Sequence, residues 1–409
     1  MNSSNLKKLN CVIQHARKSP FYKQRLPTQP LTTIQELKDI PLTTKEDLRQ
    51  HSPNGLRCVP NEDLYQYHES SGTTGNPVSS WFTKEDVYHN AKQIASCGIQ
   101  FHDKDIVLIR FPYALSAAAH MIHEAVQLKG ACVIPASGRT TSTPFTKIVD
   151  LMKKLDVTVL SCLSLQTIMI AETAEILGLN PKDDFPHLRA ICTAGETLSP
   201  ARRQLIQEIW GIPVYEFYGM TEIGTSMIDC KYQNAHVLDD DFIVEILDDS
   251  LTEDVQPNEF GHLVITTLKK DATPMIRYHT GDRARLRDDT CLCGRKQMIE
   301  IRGRSDDTLL IDHKKIDIWD IEEIISYLPC RRFWRAGVDQ QKLKIIIEKE
   351  QETDHVSPTF QCLLEAKFDI PMQIELVPTG TIYNREKLIS NGLNTKPKYF
   401  YSGDELNVR

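Results

Sequence analysis

From residue 80 to 217 the chain alternates short apolar runs with amphipathic stretches of helical period. IVLIRF (106–111), ACVIP (131–135), VTVL (157–160), RAICT (189–193) and PVYEF (213–217) are of strand length. Strands apolar on both faces belong inside a parallel sheet. The stretches between them carry helix punctuation. Thr143 is placed to cap a helix with Pro144 at its first position, and Phe145, Ile148, Leu151, Met152 and Leu155 then share one face. Ser199 and Pro200 open another helix, closed by Gly211 after Trp210. This alternation predicts an α/β fold with a mostly parallel sheet flanked by helices.

After Tyr218 the texture changes. DFIVEILDD (241–249), GHLVITTL (261–268) and MIRYHTGDRARLR (275–287) read as shorter, turn-linked strands of a small β-rich subdomain. GRSDD (303–307) is polar and glycine-punctuated, a hinge by composition. Beyond it TLLI (308–311), a helix through 321–328, LKIIIEKE (343–350) and QIELV (373–377) predict a compact α+β unit. The expected division is 1–304 and 305–409.

Composition narrows the function classes. The chain has 409 residues, 41% of them apolar, enough for a large core and more than one domain. Its net charge is −7, and short Lys/Arg runs interleaved with acids give no nucleic-acid stripe. MNSSNLKKLN at the start has no apolar core, so no signal peptide is expected. The most apolar window, 157–171, is interrupted by Ser161, Ser164, Gln166 and Thr167 and is too short to span a bilayer. Eleven cysteines, an odd number without secretory features, fit reduced thiols. These readings predict a cytoplasmic protein with no membrane or nucleic-acid partner.

Candidate chemistry begins at SSGTTGNP (70–77). Its hydroxyls and glycines suit a loop that folds backbone N–H groups around phosphate. Asn76 and Pro77 stand where a Walker loop needs Lys and Ser/Thr, and an ordinary polar turn is the competing reading. AGE (194–196) follows one strand, YGMTE (218–222) the next, and YHTGD (278–282) and GRSDD come later. In this order the set resembles the adenylate-forming superfamily of acyl-CoA synthetases, peptide-synthetase adenylation domains and luciferases. ITTLKKDATPMIRYHTGDRARL (265–286), CLCGR (291–295) and GRSDDTLLI (303–311) are similar to its phenylacetate–CoA ligase branch. The resemblance covers nearly the whole chain.

The resemblance implies attack of a carboxylate on the α-phosphate of ATP with departure of pyrophosphate, then acyl transfer to a thiol. Such catalysis is mainly positioning and charge stabilisation. By this likeness Ser70, Ser71, Gly72, Thr73, Thr74 and Gly75 hold the pyrophosphate end. Thr221 bonds the α-phosphate, and Glu222 ligates Mg²⁺. Asp282 receives the ribose hydroxyls with Arg304 beside it, Tyr218 stacks on adenine, and the Gly195–Glu196 backbone faces the base. A lysine of the terminal unit completes the site and the unit takes two arrangements, hinged near Asp306. The family's glycine-lysine pair is replaced here by PTGTIYNREKLISNGLNTKPKYF (378–400). Lys387 is the candidate, with Lys396 and Lys398 as alternatives. Two further departures are Val78, where many members have lysine, and His313, near a glycine that borders the thiol path.

Cys230, His236, Cys291 and Cys293 form a Cys-x5-His … Cys-x-Cys set. Two thiolates or more with imidazole suit tetrahedral Zn²⁺ and would close a structural site, although Cys-x-Cys is tighter than the usual spacing. Four unrelated reduced residues is the competing reading; the likeness to the branch, where similar positions recur, favours zinc. FPYALSAAAHMIHEAVQLKGA (111–131) is expected to wall the acyl pocket. Phe111, Tyr113, Ala117, Ala118, Ala119 and His120, with His123 beyond, suit a mostly apolar, aromatic acid, and helix-core packing competes for the alanines. The expected activity is ATP- and Mg²⁺-dependent formation of an acyl-adenylate from a small-molecule carboxylic acid, with coenzyme A favoured as acceptor. A carrier-protein phosphopantetheine is the alternative acceptor. A phosphate-transferring NTPase and a nucleotide-binding protein without turnover are rival readings, and a homodimer is left open.

Overall fold

The computed structural model describes residues 3–70, 76–391 and 398–406. Its largest sheet has seven strands. In spatial order they are Cys132–Pro135, Ile106–Ile109, Val159–Ser161, Ala190–Ala194, Val214–Met220, Gly224–Asp229 and Ala235–Val237. The first five pair in parallel, and the last two turn antiparallel. The five apolar runs of the sequence are these parallel strands. Because Ala194 pairs with Phe217, the turns that follow their strands emerge side by side at one sheet edge.

Helices cover both faces. The helix Pro200–Trp210 forms as expected: Ser199 Oγ accepts from the Arg202 N–H at 3.0 Å, and Gly211 closes it at φ 73°. An earlier helix, Phe145–Lys154, departs from expectation. Pro144 is its cap residue, and the Thr143 hydroxyl instead donates to the Ala136 carbonyl at 2.6 Å. Leu155, expected on the buried face, is the C-terminal cap and 43% exposed, because the helical period ends at Lys154.

A four-stranded antiparallel sheet follows, in the order Phe242–Leu247, Gly261–Thr267, Tyr278–Leu286, Ile299–Arg304. The N-terminal segment, on which the sequence patterns were silent, packs against it: Leu9, Ile13 and Leu48 share an apolar cluster with Ile243, Leu263 and Ile265.

After Ser305 come a hairpin (Leu309–Ile311, Lys314–Ile316), a helix and a three-stranded sheet of Trp334–Asp339, Lys342–Glu348 and Met372–Val377. The helix spans Ile318–Ile325 rather than 321–328. Asp317 and Asp320 form a capping box that fixes its start one turn earlier, and Leu328 lies beyond its end. Apolar side chains here, among them Ile321, Ile324 and Leu328, join the same cluster as Leu198, Leu205 and Trp210 of the main body. Among the described residues no helix is long and apolar enough to cross a membrane.

Candidate active site

The hairpin Leu64–Glu69/Ser79–Thr83 frames the hydroxyl loop. Its neck is closed by Ser70, whose N–H donates to Val78 O and whose Oγ accepts from Val78 N–H, both at 2.9 Å. Ser71, Gly72, Thr73, Thr74 and Gly75 lie outside the described residues. Val78, where a lysine is common in the superfamily, is buried at the neck.

Just past this neck lies a residue to which the sequence gave no role. Lys270 is 4% exposed, and its Nζ donates to Ser80 Oγ at 2.8 Å and to the Glu222 carbonyl at 2.7 Å. It also sits 4.1 Å over the Phe82 ring. Burial pushes its pKa down to about 8 against the pull of Asp86 and Glu222. One ammonium thus joins the hairpin that carries the hydroxyl loop to the backbone of YGMTE.

YGMTE and YHTGD meet. The Tyr218 hydroxyl donates to Asp282 at 2.6 Å, and the Arg304 guanidinium lies 3.7 Å from the same carboxylate. Arg304 also donates to Thr280 O at 3.2 Å. Burial first, then the Asp282 charge, raises the Tyr218 phenol well above its ordinary value, so it stays a donor. Gly281 sits at φ 79°, and an added Cβ would lie 3.3 Å from Arg304, so this turn needs glycine. Glu222 is buried and takes a long 3.4 Å hydrogen bond from Tyr278, with Thr221 half-buried before it. Lys45, on the helix Lys45–His51, completes the cluster. Burial lowers its pKa, while Glu222 and Asp282 pull upward and Arg304 and Arg49 push down. A lysine at the first position of a helix carries no sequence signal of this placement.

The AGE turn stands beside this cluster. Gly195 takes φ 71°, and the Glu196 carboxylate turns away to accept from Ser164 Oγ (2.9 Å), Leu165 N–H (3.1 Å) and Arg202 (3.1 Å). The expected acyl wall divides. Phe111, Ala117 and Ala119 are buried in the apolar cluster under the sheet, whereas Tyr113 and Ala118 pack at its edge. His120 Nε2–H donates to Tyr113 O at 2.9 Å, and the Tyr113 hydroxyl meets His123 Nδ1 at 3.1 Å. His68, missed in the sequence, lies 5.2 Å from the His120 ring and 5.5 Å from Phe82.

The remaining candidates are spread over the terminal unit. Lys387 is exposed on the helix Arg385–Asn391, which packs on Phe145–Lys154 and Ser164–Ile176. Lys398 pairs with Glu405 at 2.7 Å, and Lys396 lies outside the described residues. Asp306 is exposed in the turn after Arg304. His313 is exposed at a hairpin tip, where Asp312 and His313 both have positive φ (45° and 69°). A glycine would adopt this turn at less cost.

Away from the cleft, the four cysteine and histidine residues converge. Their ligand atoms all lie within 4.8 Å of one another. Cys230 and Cys291 sulfurs are 3.7 Å apart, and Cys293 Sγ is 3.3 Å from His236 Nε2. Zn–S bonds of about 2.3 Å at tetrahedral angles give sulfur–sulfur edges of about 3.8 Å. His236 Nδ1–H donates to Lys296 O at 2.9 Å, which directs Nε2 inward. The donor chemistry and spacing fit zinc.

Comparison with known proteins places this geometry. A family model described as AMP-binding enzyme matches residues 9–268. A phenylacetate-coenzyme A ligase of Pseudomonas putida is 31% identical over 410 residues, covering 93% of this chain and 91% of that one. One from Thermus thermophilus is 31% identical over 330 residues, covering 76% and 71%. Among solved structures, a 2-hydroxyisobutyryl-CoA ligase in the postadenylation state with an acyl-AMP superposes with TM-score 0.88 at 20% identity, covering 98% and 89%. The same ligase in the thioesterification state, with coenzyme A, gives 0.69 at 22% identity, covering 97% and 88%.

Proposed function

This chain belongs to the AMP-binding enzyme family, and on that footing we propose that it joins an organic acid to a thiol through an acyl-adenylate made from ATP. The observation that carries the proposal is the meeting of Tyr218, Asp282 and Arg304 beside Glu222 at the edge where the parallel strands end. An acid and a guanidinium next to a buried phenol suit a ribose and its 5′-phosphate. Asp282 accepts from the ribose hydroxyls, and Arg304 holds that carboxylate ionised and in place. Tyr218, whose hydroxyl is committed to Asp282, offers its ring face to adenine.

Glu222 has oxygen lone pairs left for a hard cation, and Mg²⁺ held there neutralises charge on the phosphates. Thr221 donates to the α-phosphate from the same turn. Lys45 and Lys270 bring positive charge to the two sides of Glu222. Lys45 favours the anionic substrate, while Lys270 holds the Glu222 backbone to the hairpin of the hydroxyl loop. Pyrophosphate is cradled by residues 70–75. The residues after 304 form a lid hinged near Asp306, and Lys387 is its candidate catalytic lysine.

The acid is read as aromatic. Phe82 with His68 and His120 with Tyr113 meet edge to face, and the His68 and His120 rings meet at a tilt, a grouping suited to an aryl group with polar tips. Coenzyme A is the favoured acceptor, in line with the names of the relatives, ahead of a carrier protein. A structural zinc held by Cys230, His236, Cys291 and Cys293 clips the strands after YGMTE to the loop before Ile299–Arg304. The enzyme is taken to work in the cytoplasm.

Pyrophosphate–ATP exchange with a panel of aryl, acyl and amino acids tests the first step. Acid-dependent exchange, with AMP as the nucleotide product once coenzyme A is added, is the expected result. Exchange absent across the panel, or release of ADP, overturns the proposal.

A further inference from the structure

One buried ionic network in the molecule is shared between the main body and the segment after Ser305. Arg202, on the first turn of Pro200–Trp210, is 3% exposed. From the body it meets Glu196 at 3.1 Å and Ser164 Oγ at 3.2 Å. From the other side it meets Glu322, at 2.6 Å through Nε, and the Tyr399 hydroxyl at 2.5 Å. Glu322 also accepts from Ser199 Oγ at 2.6 Å, and the Tyr399 hydroxyl donates to Glu196. The Arg202 guanidinium lies 4.6 Å over the Tyr399 ring, which stacks on Trp334 at 5.0 Å. Glu322 and Tyr399 are 5% and 8% exposed. Burial works against the Arg202 charge, yet Glu322, Tyr399 and Glu196 hold its pKa above the ordinary value.

The network is asymmetric. Arg202, Glu196 and Ser164 all belong to the body, so their mutual bonds survive if the terminal unit leaves. Glu322 and Tyr399 leave with it. The other body–lid ion pairs among the described residues are less deeply buried. Arg331 meets Glu208, Arg332 meets Glu172 and Glu175, Arg385 meets Glu172, and Arg302 meets Asp317 and Asp320, with side chains between 14% and 42% exposed. Exposed pairs add little to stability, whereas losing one partner of a buried pair leaves an uncompensated buried charge. Among the described residues the most deeply buried ion pair across this boundary is the one at Arg202. It touches the Glu196 side chain, next to the Gly195 turn. The same seating lays the helix carrying Lys387 against Phe145–Lys154, where Thr146 Oγ1 donates to Ile389 O at 3.4 Å.

We propose that Glu322 and Tyr399 are positioning residues of the adenylating half-reaction, docking on Arg202 to seat the lid against the AGE turn and letting go before the acyl group is transferred. This rests on the acid-activating function proposed above. Neither residue touches substrate. Each acts through Arg202, and the half-reaction made with the lid elsewhere does not need them.

The test uses the full chain with Glu322→Gln and Tyr399→Phe, each assayed in both half-reactions. Acid-dependent pyrophosphate exchange is expected to fall about 10-fold in kcat with the KM for ATP within about 2-fold, since the nucleotide contacts stay in the body. Thioester formation from supplied acyl-adenylate and coenzyme A is expected to stay within about 2-fold of the wild type. Equal losses in both half-reactions, or no loss in either, overturn the proposal. Hydrogen exchange gives a readout that needs no activity. Amides of 200–210 and 318–325 are expected to exchange faster in both variants while those of 106–109 do not change, and unchanged protection at the first two segments overturns the proposal. An inactive wild type with faster exchange in the variants would instead count against the function proposed above and leave the docking contact standing.

Discussion

His68 is 3% exposed between the rings of His120 and Phe82, and its Nε2 meets Gln66 at 3.0 Å. Burial, then the neighbouring His120 charge, pushes its pKa from 6.5 down to about 4. The unfolded chain therefore takes up a proton as pH falls through 6.5, and the folded chain does not until about pH 4. Stability from this residue is complete above pH 6.5 and is lost toward pH 4, by up to about 3 kcal/mol. Urea unfolding between pH 7.5 and 4.5 checks this: His68→Gln should show a shallower loss than wild type, and parallel curves would contradict it. None of this was legible in the sequence. Lys270 lies within the 265–286 signature and His68 and Lys45 lie outside the recognised motifs, but all three gain their roles only from chains that arrive from distant segments. The residues that were legible, Tyr218, Glu222 and Asp282, carry recognisable neighbours because the turns holding them demand particular residues, as Gly281 shows.

At the scale of elements, the parallel strands were readable because burial on both faces forces continuous apolar runs. The helix Pro200–Trp210 was readable because both its ends carry their own stop signals. The starts of two other helices were not. Thr143 is drawn into a bond with Ala136, and the start at Asp317 is set by a polar capping box ahead of the apolar run. The Cys/His clip is an element-scale feature that the sequence suggested but could not assemble, since its ligands join three separate segments. A metal held there would tie the strands Gly224–Asp229 and Ala235–Val237 to the loop before Ile299–Arg304. Elemental analysis should find one zinc per chain, and Cys230→Ser should lose it and lower the melting temperature by several degrees. A metal-free protein whose stability is untouched by that substitution would remove the clip from the account.

At the scale of the molecule, the parallel sheet brings Tyr218 and Glu222 to Asp282 and Arg304 of the four-stranded sheet, and Lys270 ties the hairpin Leu64–Glu69/Ser79–Thr83 to the same place. The helix Lys45–His51 adds Lys45 within the electrostatic reach of Glu222 and Asp282. Order along the chain announced this convergence, since the motifs follow successive strands. It did not announce how the terminal unit sits, because apolar residues of both parts merge into one cluster and the polar contacts across it have no local signature. The most direct test is a crystal structure with AMP and Mg²⁺ bound. The ribose hydroxyls should lie within hydrogen-bonding distance of Asp282, the phosphate beside Thr221, and the cation on Glu222. A nucleotide bound elsewhere, with these three side chains not in contact with it, would contradict the account.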